Sequence, residues 1–394
     1  MRQHVYFSPG MFGFGTLGSF NYFQHVEREL TARFAKAGHE LVPHVISDLP
    51  TASIRRRAVR LAEIIEQTAT DGPIHLLGHS TGGLDARVVA SPGTVTIDPQ
   101  TLTWLPRLVS VTTMNTPHYG TPLASFFVTA NGQRVLAALS MLTVAGLSIG
   151  AQPLAAASVI LGFLRASDQA LPFKIALLDR AITSVVGLVD DARSPDIKTF
   201  LDAIEDDQGS MVQVSPEAMD LVVAGLADRP GVHYQSTLSM TPKPKPIGVV
   251  KQLGHPWRTV SLSLFYALHR ITAKVGERYP CAAMRGPIPF TNDATELVLK
   301  RAFGPTPLDS NDGIVPLRSQ PWGTVVWAGY GDHLDVLGHY TDDDDDAPAD
   351  VRHRDWLYSG SQFSDAEFAA LIDAIANGML NTAGRDSGTG SSSR

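Results

Sequence analysis

Among the residues that could do chemistry Ser80 stands out, because residues 78–82 read Gly-His-Ser-Thr-Gly, a Gly-x-Ser-x-Gly pentapeptide. An apolar run at 74–77 predicts a buried strand and residues 84–90 predict a helix, so the serine falls at a strand-to-helix turn. Such a turn suits a nucleophile. Glycines two residues to either side lack the Cβ atoms that would collide where the chain reverses, so the serine can hold a strained backbone with its hydroxyl facing open space. The helix after Ser80 aims its first amides, that of Thr81 among them, at any oxyanion formed there. The competing reading is an ordinary Gly-rich turn, and only partner residues separate the two.

A serine hydroxyl is a weak nucleophile at neutral pH and needs an imidazole base, itself oriented by a carboxylate. With an elbow of this kind the acid and then the histidine follow later in the chain. Asp309 and Asp312 are the candidate acids, in the turn-prone segment Asp-Ser-Asn-Asp-Gly-Ile-Val-Pro at 309–316. Asp312 is preferred, since its Asp-Gly pair makes a tight turn ahead of a buried stretch, whereas Asp309 suits local turn hydrogen bonds. Of the 13 histidines, His333 is the preferred base, because it stands four residues past the strand-like segment 323–329, in a loop that can reach the elbow. His118, His339 and His353 are assigned structural or solvated roles. The second oxyanion donor is the amide of Met11, in the loop Pro9-Gly10-Met11-Phe12-Gly13-Phe14-Gly15 after the first strand. This loop carries neither a Gly-Lys-Ser/Thr phosphate cradle nor an ordered dinucleotide fingerprint. Phe12 and His79 are candidate substrate contacts, with His79 alternatively packing behind the turn.

Positioning these residues requires strands and helices in alternation. Strand patterns occur at 5–8, 41–46, 74–77, 108–114, 232–238 and 323–329. Helical spacing is evident at 23–34, 53–69 and 262–275, and the capping box Ser364-Asp365-Ala366-Glu367 opens a last helix to about 379. The alternation predicts an α/β architecture, a mostly parallel sheet covered by helices on both faces. The core is expected over 1–120 and 231–380, an apolar helical insertion over 121–230, and a disordered Ser/Gly-rich tail over 381–394. The prolines at 242, 244 and 246 mark an extended connection. Within the insertion no charge lies between Arg134 and Arg165, but Gly146, Gly150, Gln152 and Pro153 interrupt any membrane-spanning helix. A mobile cap over an apolar groove is expected there, with packing helices of an enlarged core as the alternative.

Composition narrows the classes. Apolar residues make up 44% of the 394 and charged ones 18%, the balance of a globular chain. The net charge is −7 and the longest basic run is Arg55-Arg56-Arg57, which reads as a solvated helix face, so no nucleic-acid partner is expected. The single cysteine, Cys281, excludes an intrachain disulfide and reads as a small buried hydrophobe. Met-Arg-Gln-His leads straight into a strand without a leader pattern, which makes cytoplasmic residence the default expectation and secretion the outcome of a processed N-terminus.

Taken in order, these residues resemble the α/β-hydrolase superfamily and, within it, the bacterial true lipases of the Pseudomonas and Burkholderia type. The matching segments are the first-strand Gly loop, Gly-His-Ser-Thr-Gly-Gly at 78–83, Asn-Thr-Pro-His-Tyr-Gly-Thr-Pro-Leu-Ala at 115–124, Gly-Val-His-Tyr at 231–234, Asn-Asp-Gly at 311–313 and His-Leu-Asp at 333–335. The resemblance implies a lidded hydrolase fold and hydrolysis of triacylglycerol-like acyl esters through an acyl-enzyme on Ser80, with transient contact between cap and lipid surface. It departs at Pro9-Gly10, where such lipases have His-Gly. It also implies a structural calcium, for which Asp335 matches one ligand and Asp293 is the candidate for another, while His339, a poor calcium ligand, replaces a glutamine. The acidic run at 342–346 reads as a solvated loop. No cofactor is required for the chemistry. Two other classes stay open: a membrane-associated phospholipase or acyltransferase using the uncharged segment 135–164, and a non-catalytic binding protein of the same fold.

Overall fold

Alternating apolar residues in short runs and apolar stripes at helical spacing build six strands and the helices that cover them. The structure, a computed structural model, describes residues 1–11, 16–17, 20–46, 51–92, 102–149, 151–165, 180–181, 183–185, 187, 209–243, 252, 254–274, 293–341 and 353–383. In chain order the main elements are β1 (Arg2–Ser8), α1 (Gln24–Lys36), β2 (Glu40–Val45), α2 (Ile54–Thr68), β3 (Ile74–His79), α3 (Thr81–Ala90) and β4 (Leu108–Met114). The insertion follows as α4 (Pro122–Phe127), α5 (Ala130–Ile149), α6 (Leu154–Arg165), α7 (Gly209–Gln213) and α8 (Pro216–Ala224). The chain then returns through β5 (His233–Met240), α9 (Pro256–Thr272), α10 (Asp293–Phe303), β6 (Thr324–Tyr330) and α11 (Asp365–Ala383).

The six strands are all parallel and lie in the order β2-β1-β3-β4-β5-β6. Consecutive side chains of β1 go to opposite faces. Tyr6 reaches Thr68 of α2 at 2.8 Å, and Phe7 packs on Phe23 beside α1 with ring centroids 5.2 Å apart. Helices therefore cover both faces: α1 packs with α11, and α2 with α3. This is the α/β-hydrolase fold, as the sequence predicts. Chain direction across the sheet reverses between β1 and β3, and a crevice at the carboxyl ends of strands forms at such a reversal. The segments after those two strands are Pro9-Gly10-Met11 and Ser80.

Some expectations shift. Helix α3 starts at Thr81 rather than 84, immediately after the serine, and α9 starts at Pro256, whose fixed φ suits a first turn. Helix α10 has no counterpart in the sequence reading. Arg57 corrects the reading of the arginine triplet: Arg55 and Arg56 are exposed, but Arg57 is only 5% exposed and ion-paired to Asp85. In the insertion, Val135, Leu139 and Leu142 of α5 and Ile160 of α6 join the same apolar cluster as the sheet, and α6 packs on α9. Among the described residues no helix is long and apolar enough to cross a membrane. Phe12, Cys281, the acidic run 342–346 and residues 384–394 of the tail lie outside the described residues.

Candidate active site

Strand β3 and helix α3 meet at Ser80, whose backbone sits at φ 55°, a region L-residues avoid. Close packing holds it there. The Ser80 amide donates to Met114 O at 2.9 Å, and a Cβ on Gly82 would lie 2.0 Å from Ser8 O, so only glycine lets the elbow tuck under the end of β1. The loop after β1 crosses just as closely, since a Cβ on Gly10 would lie 2.7 Å from the Ser80 Cβ. Among the described residues the amides of Met11 and Thr81 are taken up by no other backbone group, and both residues line a cavity with Ser80.

Asp312 and His333 come together some distance along the chain. His333 Nδ1 donates to Asp312 Oδ2 at 2.8 Å, with the histidine 3% exposed and the aspartate fully buried. The same oxygen accepts from Asn115 Nδ2 at 2.9 Å and Gln320 Nε2 at 3.3 Å, while Oδ1 accepts from the amides of Ile314 and Val315 at 2.9 and 2.7 Å. Every contact to this carboxylate is a donor, as an ionised acid requires. Gly313, at φ 99°, makes the turn that brings those amides back onto Asp312. Asp309 instead pairs with the exposed Lys243 at 2.9 Å. Among the described residues Ser80 Oγ has no hydrogen-bond partner.

His79 lines neither cavity at the site. It is fully buried, with Nε2 donating to His333 O at 2.8 Å and Nδ1 accepting from the Tyr22 hydroxyl at 2.8 Å. Burial pushes its pKa well below the ordinary value, so the ring is neutral and the carbonyl acceptor fixes the proton on Nε2. Gly10 packs against the same tyrosine hydroxyl, which a Cβ at that position would approach to 3.2 Å. Tyr22 thus ties the loop carrying Met11 to the loop carrying His333. Tyr22→Phe is expected to lower kcat for a p-nitrophenyl ester about tenfold with KM nearly constant, because a small misplacement of positioned groups is expensive. An unchanged kcat would mean that the loops hold themselves.

Arg57 makes a second tie. Its guanidinium donates to Pro9 O and to Asp85 Oδ2, which also accepts from Ser8 Oγ at 2.9 Å. The pair fastens the loop after β1 to α3, the helix that carries Thr81. Its signal was present in the sequence, since Arg57 falls three residues after Ile54 and four before Leu61, on the apolar face of α2. Asn115, at φ 48°, gives the Asn-Thr-Pro-His segment a physical role as a donor to Asp312, which spacing alone does not reveal.

Two apolar cavities flank these groups. One is lined by Met11, Ser80, Thr81, Leu123, Phe127 and Val214 among others; the second by His333, Leu139, Leu268, Trp356 and Leu357 among others. Ile314 lines both.

Among the described residues the calcium implied by the resemblance has no matching set of ligands. Asp335 is buried with Asp332, beside the half-buried Asp355, and Asp335 Oδ2 accepts from the Asp332 amide at 2.7 Å and from Ser361 Oγ at 2.6 Å. Burial, and then repulsion from Asp332 and Asp355, holds its carboxyl well above the usual range. Asp293 is exposed at the start of α10, and among the described residues no three His, Cys, Asp or Glu side chains are arranged to hold a metal ion. No step below passes through a metal.

No protein-family model matches the chain, and no curated protein matches its sequence. Its structure is similar to that of a Staphylococcus hyicus lipase, 14% identical, covering 98% of this chain and 97% of that one with a TM-score of 0.47. It is also similar to a metagenomic carboxyl esterase, 12% identical, covering 96% of this chain and 76% of that one, TM-score 0.47. A third likeness is to lipase 1 from Pelosinus fermentans, 16% identical, covering 95% and 98%, TM-score 0.45.

Proposed function

We propose that the chain is a serine hydrolase of carboxylic esters, acting through an acyl-enzyme on Ser80. The observation that carries this reading is the buried Asp312–His333 hydrogen bond of 2.8 Å, tied through the His333 carbonyl to His79, the neighbour of a serine held at φ 55°. Ser80 Oγ attacks the ester carbonyl as His333 Nε2 takes its proton, and the Met11 and Thr81 amides receive the developing oxyanion. Asp312 keeps the proton of the neutral ring on Nδ1 and stabilises the imidazolium that forms. His333 then protonates the leaving alcohol and afterwards deprotonates the water that hydrolyses the acyl-enzyme. A fluorophosphonate probe followed by peptide mass spectrometry tests the reading. Modification of Ser80, abolished in Ser80→Ala, is expected; a protein that hydrolyses p-nitrophenyl esters without labelling there would sink it.

The insertion is part of the same proposal, as a lid that closes over the first cavity in water and opens on a lipid surface. Val128 and Val212 support it, being 38% and 59% exposed directly beside the cavity residues Phe127 and Met211. Turnover of a sparingly soluble ester is expected to rise steeply once it passes its solubility limit. A hyperbolic rate curve running smoothly through that limit would mean a fixed cover.

A further inference from the structure

Three hydroxyl-bearing residues line the cavity at the elbow: Ser80, Thr81 and Thr121. Thr121 Oγ1 donates to Ile314 O, and Ser80 Oγ is the nucleophile on the reading above. Thr81 is the exception. The residue is 2% exposed, and its buried Oγ1 has no hydrogen-bond partner among the described residues. Its place in the chain explains why. A hydroxyl inside a helix can return to the carbonyl four residues back, as Thr68 does to Ile64 O at 2.6 Å, Ser140 to Leu136 O at 2.9 Å and Thr143 to Leu139 O at 2.9 Å. Thr81 is the first residue of α3, and the carbonyl four residues behind it, that of Leu77, belongs to β3. A buried hydroxyl in this position has given up water and gained no partner in the free protein. Valine would fill the same space without that cost.

We propose that the Thr81 hydroxyl is a third oxyanion donor, a catalytic group that is idle in the free enzyme and makes its hydrogen bond as the ester carbonyl turns tetrahedral. The proposal rests on the ester-hydrolase reading. A gauche χ1 sets Oγ1 beside the residue's own amide, so the N–H and O–H of one residue converge on one oxygen, and the Met11 amide joins them from the loop after β1. In the step itself Ser80 Oγ bonds to the carbonyl carbon, the π pair of the C=O bond moves onto oxygen, and the serine proton goes to His333 Nε2. Thr81 keeps its proton and shares it with that oxygen in a charge-assisted hydrogen bond. The neutral carbonyl of the bound ester is a weaker acceptor than the oxyanion. The hydroxyl therefore lowers the barrier more than it tightens substrate binding. The unpartnered state in the free enzyme serves the same end, because no existing hydrogen bond has to break when the charge appears.

Thr81→Val and Thr81→Ser test the side chain apart from the amide, which both variants keep. Turnover of p-nitrophenyl butyrate is measured per Ser80, counted by exhaustive labelling with a small fluorophosphonate. Thr81→Val is expected to lose about 10²-fold in kcat, the cost of one oxyanion donor, with KM within about twofold. Thr81→Ser restores the hydroxyl and should stay within about fivefold of the parent. The Tm of Thr81→Val should equal or exceed that of the parent, since the group removed had no partner to leave unsatisfied. A trifluoromethyl ketone, whose hemiketal with Ser80 carries the same oxyanion, should bind Thr81→Val more weakly by a factor comparable to the loss in kcat. A loss in kcat below about tenfold overturns the proposal. So does a larger loss that comes with a lower Tm, that serine does not restore, or that leaves ketone binding unchanged, since each of these assigns the side chain to packing. A parent protein that neither labels at Ser80 nor hydrolyses the ester removes the ester-hydrolase reading itself, and the third donor with it.

Discussion

Replacing Ser80 by alanine is expected to lower kcat toward a p-nitrophenyl ester by roughly 10⁴-fold or more, because nucleophile, base and acid act as a unit. The fold should survive. Ser80 is 7% exposed and has no side-chain hydrogen bond among the described residues, so losing its hydroxyl leaves no buried partner unsatisfied. The backbone at φ 55° adds a second, separable effect. Alanine inherits the strain but glycine does not, so Ser80→Gly should be as inactive as Ser80→Ala and more stable than the parent by about 1 kcal/mol in urea unfolding. Equal stability of the three proteins would mean that the elbow stores no strain. Near-normal turnover by either variant would falsify the assignment of Ser80.

Asp312→Asn is the other large effect, expected at roughly 10⁴-fold in kcat. The reason is tautomeric. Asp312 Oδ1 faces two backbone amides, those of Ile314 and Val315, which cannot turn away. An asparagine must therefore keep its oxygen there and present its NH2 group to His333. A ring that accepts a hydrogen bond at Nδ1 carries its proton on Nε2, the nitrogen that has to receive the serine proton. Asn115 and Gln320 would also face a donor in place of an acceptor, so lower thermal stability should accompany the loss. Asp309→Asn is the control. Its Lys243 partner is exposed, so the change should leave kcat within about twofold and stability within about 0.5 kcal/mol. The reverse ranking of the two substitutions would move the acid to Asp309.

How far these features could be read from the chain depends on how local their causes are. The elbow is local: apolar residues on one side, a helix on the other and glycines between them determine where Ser80 goes. The parallel sheet is nearly as legible, because alternation of strand and helix leaves few ways to connect them. Asp312 and His333 could be ranked by order and turn chemistry, and the structure brings both to one hydrogen bond. Tyr22 and Asn115 could not be found this way, since each acts on a group far along the chain and neither belongs to a periodic pattern. Arg57 was legible in principle, but the charge of its two neighbours outweighed its place on the apolar face of α2. His79 shows the limit of adjacency: next to the serine in sequence, it points its ring at the underside of the His333 loop. In α5 and α6 the difficulty is of another kind. A helix apolar on most sides is buried whether it covers a groove or fills a core, so pattern alone does not separate the two.

The hydrogen bond from His79 to the His333 carbonyl joins residues 254 apart in the chain. During synthesis the serine turn emerges long before the loop that completes it. At roughly 5–20 residues per second, that spacing amounts to about 13–50 s between the arrival of Ser80 and that of His333. The last strand to arrive, β6, forms the edge of the sheet and pairs with a single neighbour. On the proposed reading, hydrolytic competence would be withheld until translation has supplied that edge, and a ribosome-bound fragment ending before it should be inert toward a p-nitrophenyl ester.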